Sequence, residues 1–323
     1  MIHAAIIGCG SVAPVHAHAL KQLSNVELVA CADTNMERAQ RLAREYGIRA
    51  YASMEELLNS EQVEVVHLCT PHYLHTPMAG LAATRGIHVL TEKPPVINRE
   101  QWAQLKKTSE AVRVGVCFQN RYNEGVAQMK KLLAEGALGK ALGARAFVTW
   151  TRDQEYYENS GWRGKLATEG GGALINQAIH TLDLMVYLMG KPSRVESSLS
   201  NHHLKGIIEV EDTLEVYMAF GQAPGLFYAT TAYCMNSPVL LEIACENGTL
   251  RLEGQALSLL WKDGRTQRLE YETPLNVAKD YWGGSHITCI ADFYDALEAG
   301  RETPLGLDKI KDTIETLFAI YHL

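Results

Sequence analysis

The sequence lacks the features that mark disulfide frameworks, exported proteins and membrane spans. Its seven cysteines include no C-x-x-C pair, which removes the usual spacing of cysteine redox motifs. No apolar stretch approaches the roughly 20 residues that a membrane span needs. The first residues contain no basic region and no small-residue cleavage site of the kind that signal peptides carry. We therefore expect free thiols, no membrane association and a cytoplasmic protein.

A positive charge excess is also absent. Lysine and arginine total 30 against 37 acidic residues, which leaves a net charge of -7. Such a chain has no overall field to attract phosphate backbones, so nucleic acid is not an expected partner. The adjacent His202 and His203 have no carboxylate at a ligand spacing, and no metal site is expected.

The first 120 residues alternate β-branched runs with segments of helical period. This alternation is typical of βαβ units, and it predicts an α/β Rossmann domain with a doubly wound parallel sheet over residues 1–121. Helix 36–46 should end at Gly47, a glycine suited to a left-handed C-terminal position. The predicted strands are residues 2–7, 26–32, 64–69, 87–91 and 112–118.

The pattern changes after residue 121. A run of about six strands over residues 194–271, with an Asn-Gly hairpin at Asn247, predicts an α+β domain over residues 122–323 with a large, open and mostly antiparallel sheet. One face of that sheet lacks covering helices, so a homodimer or homotetramer through it is expected. The C-terminal helix can pack back on the first domain. The predicted helices are residues 124–135, 172–189, 287–299 and 307–322.

A glycine motif follows the first strand. It has the form G-x-G-x-x-A, with Pro14 near the start of the next helix. In this pattern glycines let the backbone approach a pyrophosphate, while the helix N-terminus supplies NH groups and a positive dipole end. The motif predicts a dinucleotide site formed by Gly8, Cys9, Gly10, Ser11 and Val12.

Asp33 stands at the end of the second predicted strand, 20 residues beyond Ala13. A carboxylate there accepts hydrogen bonds from the adenosine ribose, and the adjacent Thr34 belongs to the same predicted site. A carboxylate would repel a 2′-phosphate, which favours NAD over NADP as the cofactor. Arg38 could reverse the preference, but a helical residue at this position is more typical of a solvated face.

Polar residues also follow three later strands of the first domain. Lys93 lies between Glu92 and two prolines, in a stiff turn that would hold its ammonium in one direction. The carboxyl ends of parallel strands form the functional edge of a doubly wound sheet. We therefore treat these turns as candidates for the site rather than as surface pairs.

The second domain contains three consecutive glycines followed by Asn176 and His180. Their spacing of four residues would stack the two side chains on one helix face. A polar pair after glycines that permit close backbone approach favours the wall of an active site.

These segments together resemble the Gfo/Idh/MocA family, which includes glucose-fructose oxidoreductase and inositol dehydrogenase. The resemblance rests on the motifs G-C-G-S-V-A, with His16 after it, T-P-H-Y-L-H, E-K-P, W-R-G and G-G-G-A-L-I-N-Q-A-I-H-T-L-D. It implies oxidation or reduction of sugars and inositols, with Lys93, His180 and Asn176 at the catalytic position. It also places residues of the first domain around the dinucleotide, namely Thr70, Pro71, His75, Glu92, Lys93 and Gln119.

One departure from the family matters for mechanism. Family dehydrogenases often have aspartate where this chain has Asn176, and an amide can hold a hydroxyl but cannot take its proton. The base is then His180 or Lys93; histidine titrates near neutral pH, and lysine can stabilise a developing alkoxide. The expected substrate-binding residues are Arg121, Trp162, Arg163, Asn176 and His180.

Three alternatives remain open at this stage. The same fold could sense NAD without chemistry, as a regulator. It could act on a trans-dihydrodiol, an imine or a nucleotide-linked sugar. It could also hold NAD tightly and use transient oxidation for epimerisation or elimination.

Overall fold

The computed structural model describes residues 1–271 and 285–323. Contacts between Cα atoms separate the chain into two compact units. The first unit contains residues 1–119 and 285–309, and the second contains residues 120–271 and 310–323. The chain therefore returns to the first unit for one late segment before it ends in the second.

The first unit is built on a parallel six-stranded sheet, which confirms the predicted Rossmann architecture. Its strands are β1 (Ile2–Ile7), β2 (Val26–Ala32), β3 (Arg49–Tyr51), β4 (Val65–Leu68), β5 (His88–Thr91) and β6 (Val114–Val116). Every residue of β4 is buried, as expected where helices cover both faces. The strand order β3-β2-β1-β4-β5-β6 changes direction between β1 and β4, where doubly wound sheets bind their ligands. The short edge strand β3 was not predicted.

Helix α2 has a local sequence signal at each end. Helix α2 begins after Asn35, whose side chain accepts hydrogen bonds from two backbone NH groups, and ends at Gly47 with φ of 67°. The prediction for Gly47 is confirmed. No helix in the described ranges has the length and apolar character to cross a bilayer. The helices are α1 (Ala13–Gln22), α2 (Met36–Tyr46), α3 (Met54–Ser60), α4 (His72–Ala83), α5 (Arg99–Ala111), α6 (Glu124–Ala134), α7 (Gln154–Glu158), α8 (Leu166–Glu169), α9 (Ile179–Met189), α10 (His286–Glu298) and α11 (Leu307–Ile320).

The second unit contains the predicted open sheet, with eight strands in the described residues. Its strands are β7 (Ala141–Thr149), β8 (Arg194–Ser200), β9 (Thr213–Phe220), β10 (Ala223–Thr230), β11 (Leu240–Cys245), β12 (Gly248–Glu253), β13 (Ala256–Trp261) and β14 (Thr266–Leu269). The order is β14-β13-β12-β11-β7-β10-β9-β8, and among these strands of the described ranges β7 and β10 are the one pair that runs in parallel. The predicted hairpin is confirmed, since Cys245 pairs with Gly248 across Glu246 and Asn247.

The helix predicted over residues 172–189 is wrong in its first part. Residues Ala173–Ala178 form a π-helix, and α-helical geometry begins only at Ile179. A π-helix adds one residue to each hydrogen-bonded turn, so its side chains do not follow the α-helical period. The argument that Asn176 and His180 stack because they are four residues apart therefore does not apply.

All seven cysteines are free thiols, as expected, and six of them are buried. Cys9, Cys31 and Cys69 lie in or beside the strands of the first unit, where they act as small core residues.

Candidate functional site

The turn after β1 has the geometry of a dinucleotide-binding loop. Gly8 has φ of 90°, and a Cβ there would lie 2.7 Å from the carbonyl oxygen of Cys69, so only glycine fits. A Cβ on Gly10 would have no heavy atom within 4 Å. Helix α1 begins at Ala13 without a side-chain cap. The loop thus leaves open space beside a helix start that no side chain caps, and the positive end of the helix dipole there suits an anionic group.

The carboxylate of Asp33 accepts a hydrogen bond from this loop. The backbone NH of Cys9 donates to Oδ2 of Asp33 at 2.7 Å, and the NH of Asn35 donates to Oδ1 at 2.7 Å. An ionised carboxylate has about four lone-pair sites, so these bonds leave capacity for ribose hydroxyls. Arg38 and Thr34 are exposed next to it.

His75 connects two of the predicted strand-end turns. Its Nδ1 lies 2.7 Å from the carbonyl oxygen of Pro94, and its Nε2 lies 2.8 Å from that of Thr70. Burial lowers the pKa of His75, while the two carbonyl contacts oppose this. The ring therefore holds the Thr70 turn against the turn that contains Lys93.

Glu92 points into a buried chain of rings. Its Oε1 lies 2.9 Å from Nε2 of His16 and 3.5 Å from Nε2 of His286. Nδ1 of His16 lies 2.8 Å from Nδ1 of His67, whose Nε2 lies 2.8 Å from the Tyr294 hydroxyl. Burial alone would raise the pKa of Glu92, but the hydrogen bond with His16 and the positive charge that His16 and His286 can carry outweigh it and hold that pKa well below its usual range. The same burial lowers the pKa of His67.

The buried contacts of Glu92 therefore fix the turn that follows β5. Lys93, the next residue in this turn, is half-buried. One possible metal-ligand atom from each of His16, Glu92 and His286 lies within 4.8 Å of the other two, which is near enough for the three to share a metal ion. The 2.9 Å contact is already an ordinary hydrogen bond, which accounts for the cluster without one. The expectation of no metal site stays a prediction.

Gln119 is buried at the start of the 3₁₀ helix Gln119–Tyr122.

Two residues of the triple glycine in the second unit must be glycine because other parts of that unit pack against them. A Cβ on Gly171 would collide with the hydroxyl of Tyr321, and one on Gly172 would collide with the carbonyl oxygen of Glu211. The Glu211 carboxylate accepts from the NH groups of Gly172 and Leu174 at 2.8 and 3.0 Å, and from the Tyr321 hydroxyl at 2.7 Å. The close approach that the glycines permit is thus between chain segments, and it holds the start of the π-helix.

Asn176 extends from this π-helix toward Glu169. Its Nδ2 donates a hydrogen bond to Oε1 of Glu169, and the NH of Gly164 donates to Oε2 at 2.5 Å. Burial raises the pKa of Glu169 to about 7, against the opposing effect of these donors and of Arg163. Asn176 and His180 are half-buried, whereas Glu169 is 1% exposed.

Arg121 has a partner within the protein. Its Nε and Nη2 donate to the two oxygens of Asp183 at 2.8 and 2.6 Å, and its guanidinium lies 4.6 Å from the ring centre of Tyr187. The hydroxyl of Thr313 donates to the same carboxylate at 2.7 Å. This pairing supports a structural role, and the assignment of Arg121 to substrate binding stays a prediction.

Trp162 and Arg163 form part of an aromatic cluster. The guanidinium of Arg163 lies 4.4 Å from the ring centre of Tyr156 and 5.0 Å from that of Trp162. Both residues are half-buried, so an indole face and a cation remain close to solvent. Such a pair can contact the CH surface and the hydroxyls of a sugar.

Comparison with known proteins now decides the family. Residues 2–120 match the model of an oxidoreductase family with an NAD-binding Rossmann fold, and residues 126–251 match the GFO/IDH/MocA C-terminal domain. The chain belongs to the GFO/IDH/MocA family. The resemblance inferred from the motifs is confirmed.

Several GFO/IDH/MocA proteins are similar to this chain. The WlbA dehydrogenase from Bordetella pertussis, solved in complex with NADH and UDP-GlcNAcA, is 30% identical with a TM-score of 0.86, over 99% of this chain and 95% of that one. D-glucoside 3-dehydrogenase of Escherichia coli is 31% identical over 59% of this chain and 55% of its own. The 2,7-anhydro-N-acetylneuraminate hydratase of Mediterraneibacter gnavus is 29% identical over 67% of this chain and 58% of its own. The matched part spans little more than half the length of these two curated relatives.

Residues on both units of this GFO/IDH/MocA protein take part in these contacts without a signal strong enough to predict them. His67 and His286 gave no local signal, because their partners lie far away in sequence. Glu169 did carry one, as an acidic residue directly before the triple glycine. Its contact with Asn176 depends on the π-helix, which was not predicted.

Proposed function

We propose that the protein is an NAD(P)-dependent dehydrogenase or reductase acting on CH–OH groups. It would transfer a hydride between the nicotinamide and a secondary alcohol, or the corresponding carbonyl, of a sugar, an inositol or a related polyol. The observation that carries the proposal is the loop after β1, where Gly10 leaves open space beside the uncapped start of α1. The similar D-glucoside 3-dehydrogenase and WlbA dehydrogenase support a sugar as substrate.

NAD is the preferred cofactor in this proposal. Gly8, Cys9, Gly10, Ser11 and Val12 would hold the pyrophosphate. Asp33 and Thr34 would hold the adenosine ribose, where a carboxylate repels a 2′-phosphate. Thr70, Pro71, His75, Glu92, Lys93 and Gln119 would form the remaining part of the site. Initial rates with NAD and NADP in parallel test this preference, and a higher kcat/KM with NADP would overturn it.

The proposed catalytic residues are Lys93, His180 and Asn176. The bound nicotinamide supplies the hydride acceptor. His180 takes the hydroxyl proton during oxidation and returns it to the oxygen during reduction. The Lys93 ammonium would stabilise negative charge that develops on a substrate oxygen, and Asn176 would hold a substrate hydroxyl. Trp162, Arg163 and Arg121 are the proposed contacts to the rest of the sugar.

Replacement of Lys93 tests the reaction. A panel of sugars, glycosides and inositols is first screened for NADH formation by the wild-type protein. Lys93→Met should then lower turnover by about 10²-fold or more while NAD still binds. Lys107→Met, an exposed change on helix α5, is the matched control. Near-normal turnover of Lys93→Met would remove the proposed role of this residue.

A redox-neutral reaction with retained NAD is the second candidate. It is favoured by the similarity to the 2,7-anhydro-N-acetylneuraminate hydratase. NAD found in the purified protein, together with product formation but no net NADH, would support this candidate over the dehydrogenase. An NAD-sensing regulator would instead bind NADH and turn over no member of the panel.

The outer face of the second unit's sheet is a proposed interface between copies of the chain. Tyr217 pairs with Leu226, and Tyr228 pairs with Phe147, so aromatic and apolar side chains lie side by side there. Leu226 is 58% exposed. Leu226→Arg should shift a homodimer or homotetramer toward monomer in light scattering, whereas Leu166→Arg on helix α8 should not.

The free thiols support a reducing compartment, for which we propose the cytoplasm.

A further inference from the structure

His75 lies between two carbonyl oxygens that belong to different turns of the first unit. It is in the first turn of α4 and is 1% exposed. Nδ1 of the ring lies 2.7 Å from the carbonyl oxygen of Pro94, and Nε2 lies 2.8 Å from that of Thr70. Both distances are those of direct hydrogen bonds, so each ring nitrogen faces an acceptor.

The charge of the ring decides how many of these hydrogen bonds form. A carbonyl oxygen can only accept, and a neutral imidazole has one N–H donor and one lone pair. The neutral ring therefore donates to one carbonyl and sets its lone pair against the other. The imidazolium has two N–H groups and donates to both carbonyls, and hydrogen bonds from a charged donor are the stronger kind.

The two turns are those that contain the candidate dinucleotide site. Thr70 follows β4 and Pro94 follows β5, so the ring joins the carboxyl ends of neighbouring parallel strands. The Thr70 turn also packs on the glycine loop, since a Cβ on Gly8 would lie 2.9 Å from Cγ2 of Thr70. The Thr76 hydroxyl donates to the carbonyl oxygen of Pro95 at 3.2 Å, which is an uncharged contact between α4 and the second turn. Protonation of His75 therefore adds a hydrogen bond at the place where both turns meet α4.

We propose that His75 is a positioning residue, which links dinucleotide binding to the uptake of a proton. The imidazolium holds the Thr70 turn and the turn that contains Lys93 against α4 at the same time, and this arrangement receives the dinucleotide. The neutral ring leaves one of the two turns without its hydrogen bond. This inference rests on the proposed function, in which both turns contact the cofactor.

The charged groups around the ring set the pH at which it changes. Burial lowers the pKa of His75 and the Lys93 ammonium adds to this, whereas the two carbonyls and the Glu92 carboxylate oppose it. The His72 ring on the same helix lies 6.2 Å away between ring centres, and it repels a second positive charge when it is protonated. The pKa of His75 is lowered overall, so the free protein should take up the proton below pH 6.5.

Binding and protonation are then coupled with a definite sign. A dinucleotide that prefers the protonated ring raises the pKa of His75 in the complex, so it binds more tightly as pH falls. The pKa of Glu92 is held well below its usual range, and this carboxylate stays ionised throughout the change. The coupling therefore comes from the ring itself.

Calorimetric titration of NAD into the full chain, in buffers with different heats of ionisation, measures the protons taken up on binding. The Kd of wild-type protein for NAD should fall about tenfold between about pH 8 and about pH 5.5, because the complex gains a hydrogen bond from a charged donor. A tenfold change corresponds to a pKa one unit higher in the complex, for which the uptake peaks at about half a proton.

Two variants keep one donor each and cannot be protonated. His75→Asn puts an amide nitrogen near the position of Nδ1, and His75→Gln puts one near that of Nε2. In both, the Kd for NAD should be independent of pH and within about threefold of the wild-type value at pH 8. His88→Gln is the matched control, because His88 is half-buried at the opposite end of β5 and burial also lowers its pKa. This control should keep the wild-type pH dependence, and unchanged proton uptake in both His75 variants would overturn the inference.

The protons on the ring can also be observed directly. In long-range proton–nitrogen NMR spectra of the full chain labelled in histidine, a neutral ring has one protonated nitrogen and an imidazolium has two. The His75 signals are those lost in His75→Gln or His75→Asn. NAD should move the midpoint of their titration upward by about one pH unit. The same protonation with and without NAD at every pH would overturn the link.

The outcomes separate this inference from the proposed function. Absence of turnover across the sugar panel would contradict the proposed reaction alone, and the NAD titrations would still decide the role of His75. A chain that binds no NAD at any pH would contradict the cofactor proposal and the link together.

Discussion

The two units each bury a glutamate, and the two carboxylates behave in opposite ways. Glu92 of the first unit lies against His16 and His286, and its pKa is held well below the usual range. Glu169 of the second unit accepts from an amide and a backbone NH, and its pKa is raised to about 7. Burial favours the neutral acid in both places. At Glu92 two histidine rings, which can carry positive charge, outweigh burial, whereas the donors around Glu169 do not. The groups that face each carboxylate therefore decide its charge.

The contrast gives opposite pH dependences of stability. A lowered pKa means that the unfolded chain binds more protons, so the contribution of Glu92 is present above pH 4.5 and is lost as pH falls below it. A raised pKa means that the folded chain binds more protons. Glu169 therefore lowers stability as pH rises from 4.5 to about 7.

The largest expected effect comes from breaking the histidine contact in the first unit. His16→Leu leaves Glu92 buried without its nearest donor and removes the ring nitrogen that contacts Nδ1 of His67. We expect a loss of about 3–5 kcal/mol in the free energy of unfolding at neutral pH, measured by urea denaturation. His18→Leu lies on the same helix and removes a hydrogen bond with the exposed side chain of Gln22, so it should cost less than about 1 kcal/mol. Equal losses in the two variants would show that the buried network is not the cause.

Glu169→Gln should sharpen the comparison from the other side. A rise in the pKa of Glu169 from 4.5 to about 7 corresponds to a loss of at most about 3 kcal/mol in the free energy of unfolding of the wild-type protein as pH rises. The variant has no carboxyl group at this position and does not undergo this loss. Relative to wild type, its free energy of unfolding should therefore increase between about pH 5 and about pH 8. Urea denaturation at the two pH values measures this, with Glu209→Gln, which changes an exposed carboxylate, as control. Parallel pH profiles for wild type and Glu169→Gln would contradict the raised pKa.

The smallest expected difference separates two tyrosines whose hydroxyls are hydrogen-bonded inside the protein. Tyr321→Phe removes a hydrogen bond to the Glu211 carboxylate and one from the NH of Ile175, and should cost about 2 kcal/mol. Tyr294→Phe removes one contact with the His67 ring and should cost about 1 kcal/mol. Thermal unfolding of the two variants under one condition ranks them. The reverse order would mean that the ring network of the first unit is the more strongly coupled of the two.

Local patterns predicted most of the first unit because its signals span few residues. The turn at Gly8, the carboxylate at Asp33 and the helix end at Gly47 are each specified by neighbours along the chain. The role of the triple glycine was different from the one expected. Gly171 and Gly172 are required by Tyr321 and Glu211, which are distant in sequence, and no local pattern indicates such a collision.

Sequence alone therefore determined the fold class with its parallel and mostly antiparallel sheets, the glycine turn after β1 and the family, because period, turn residues and short motifs are properties of adjacent positions. Tertiary structure decided which side chains meet. Strand order places His67 beside His16, and the return of the chain brings His286 to Glu92. A π-helix turns Asn176 toward Glu169. Charge and hydrogen bonding in buried sites depend on these distant neighbours, and so the chemistry of both carboxylates was fixed only by folding.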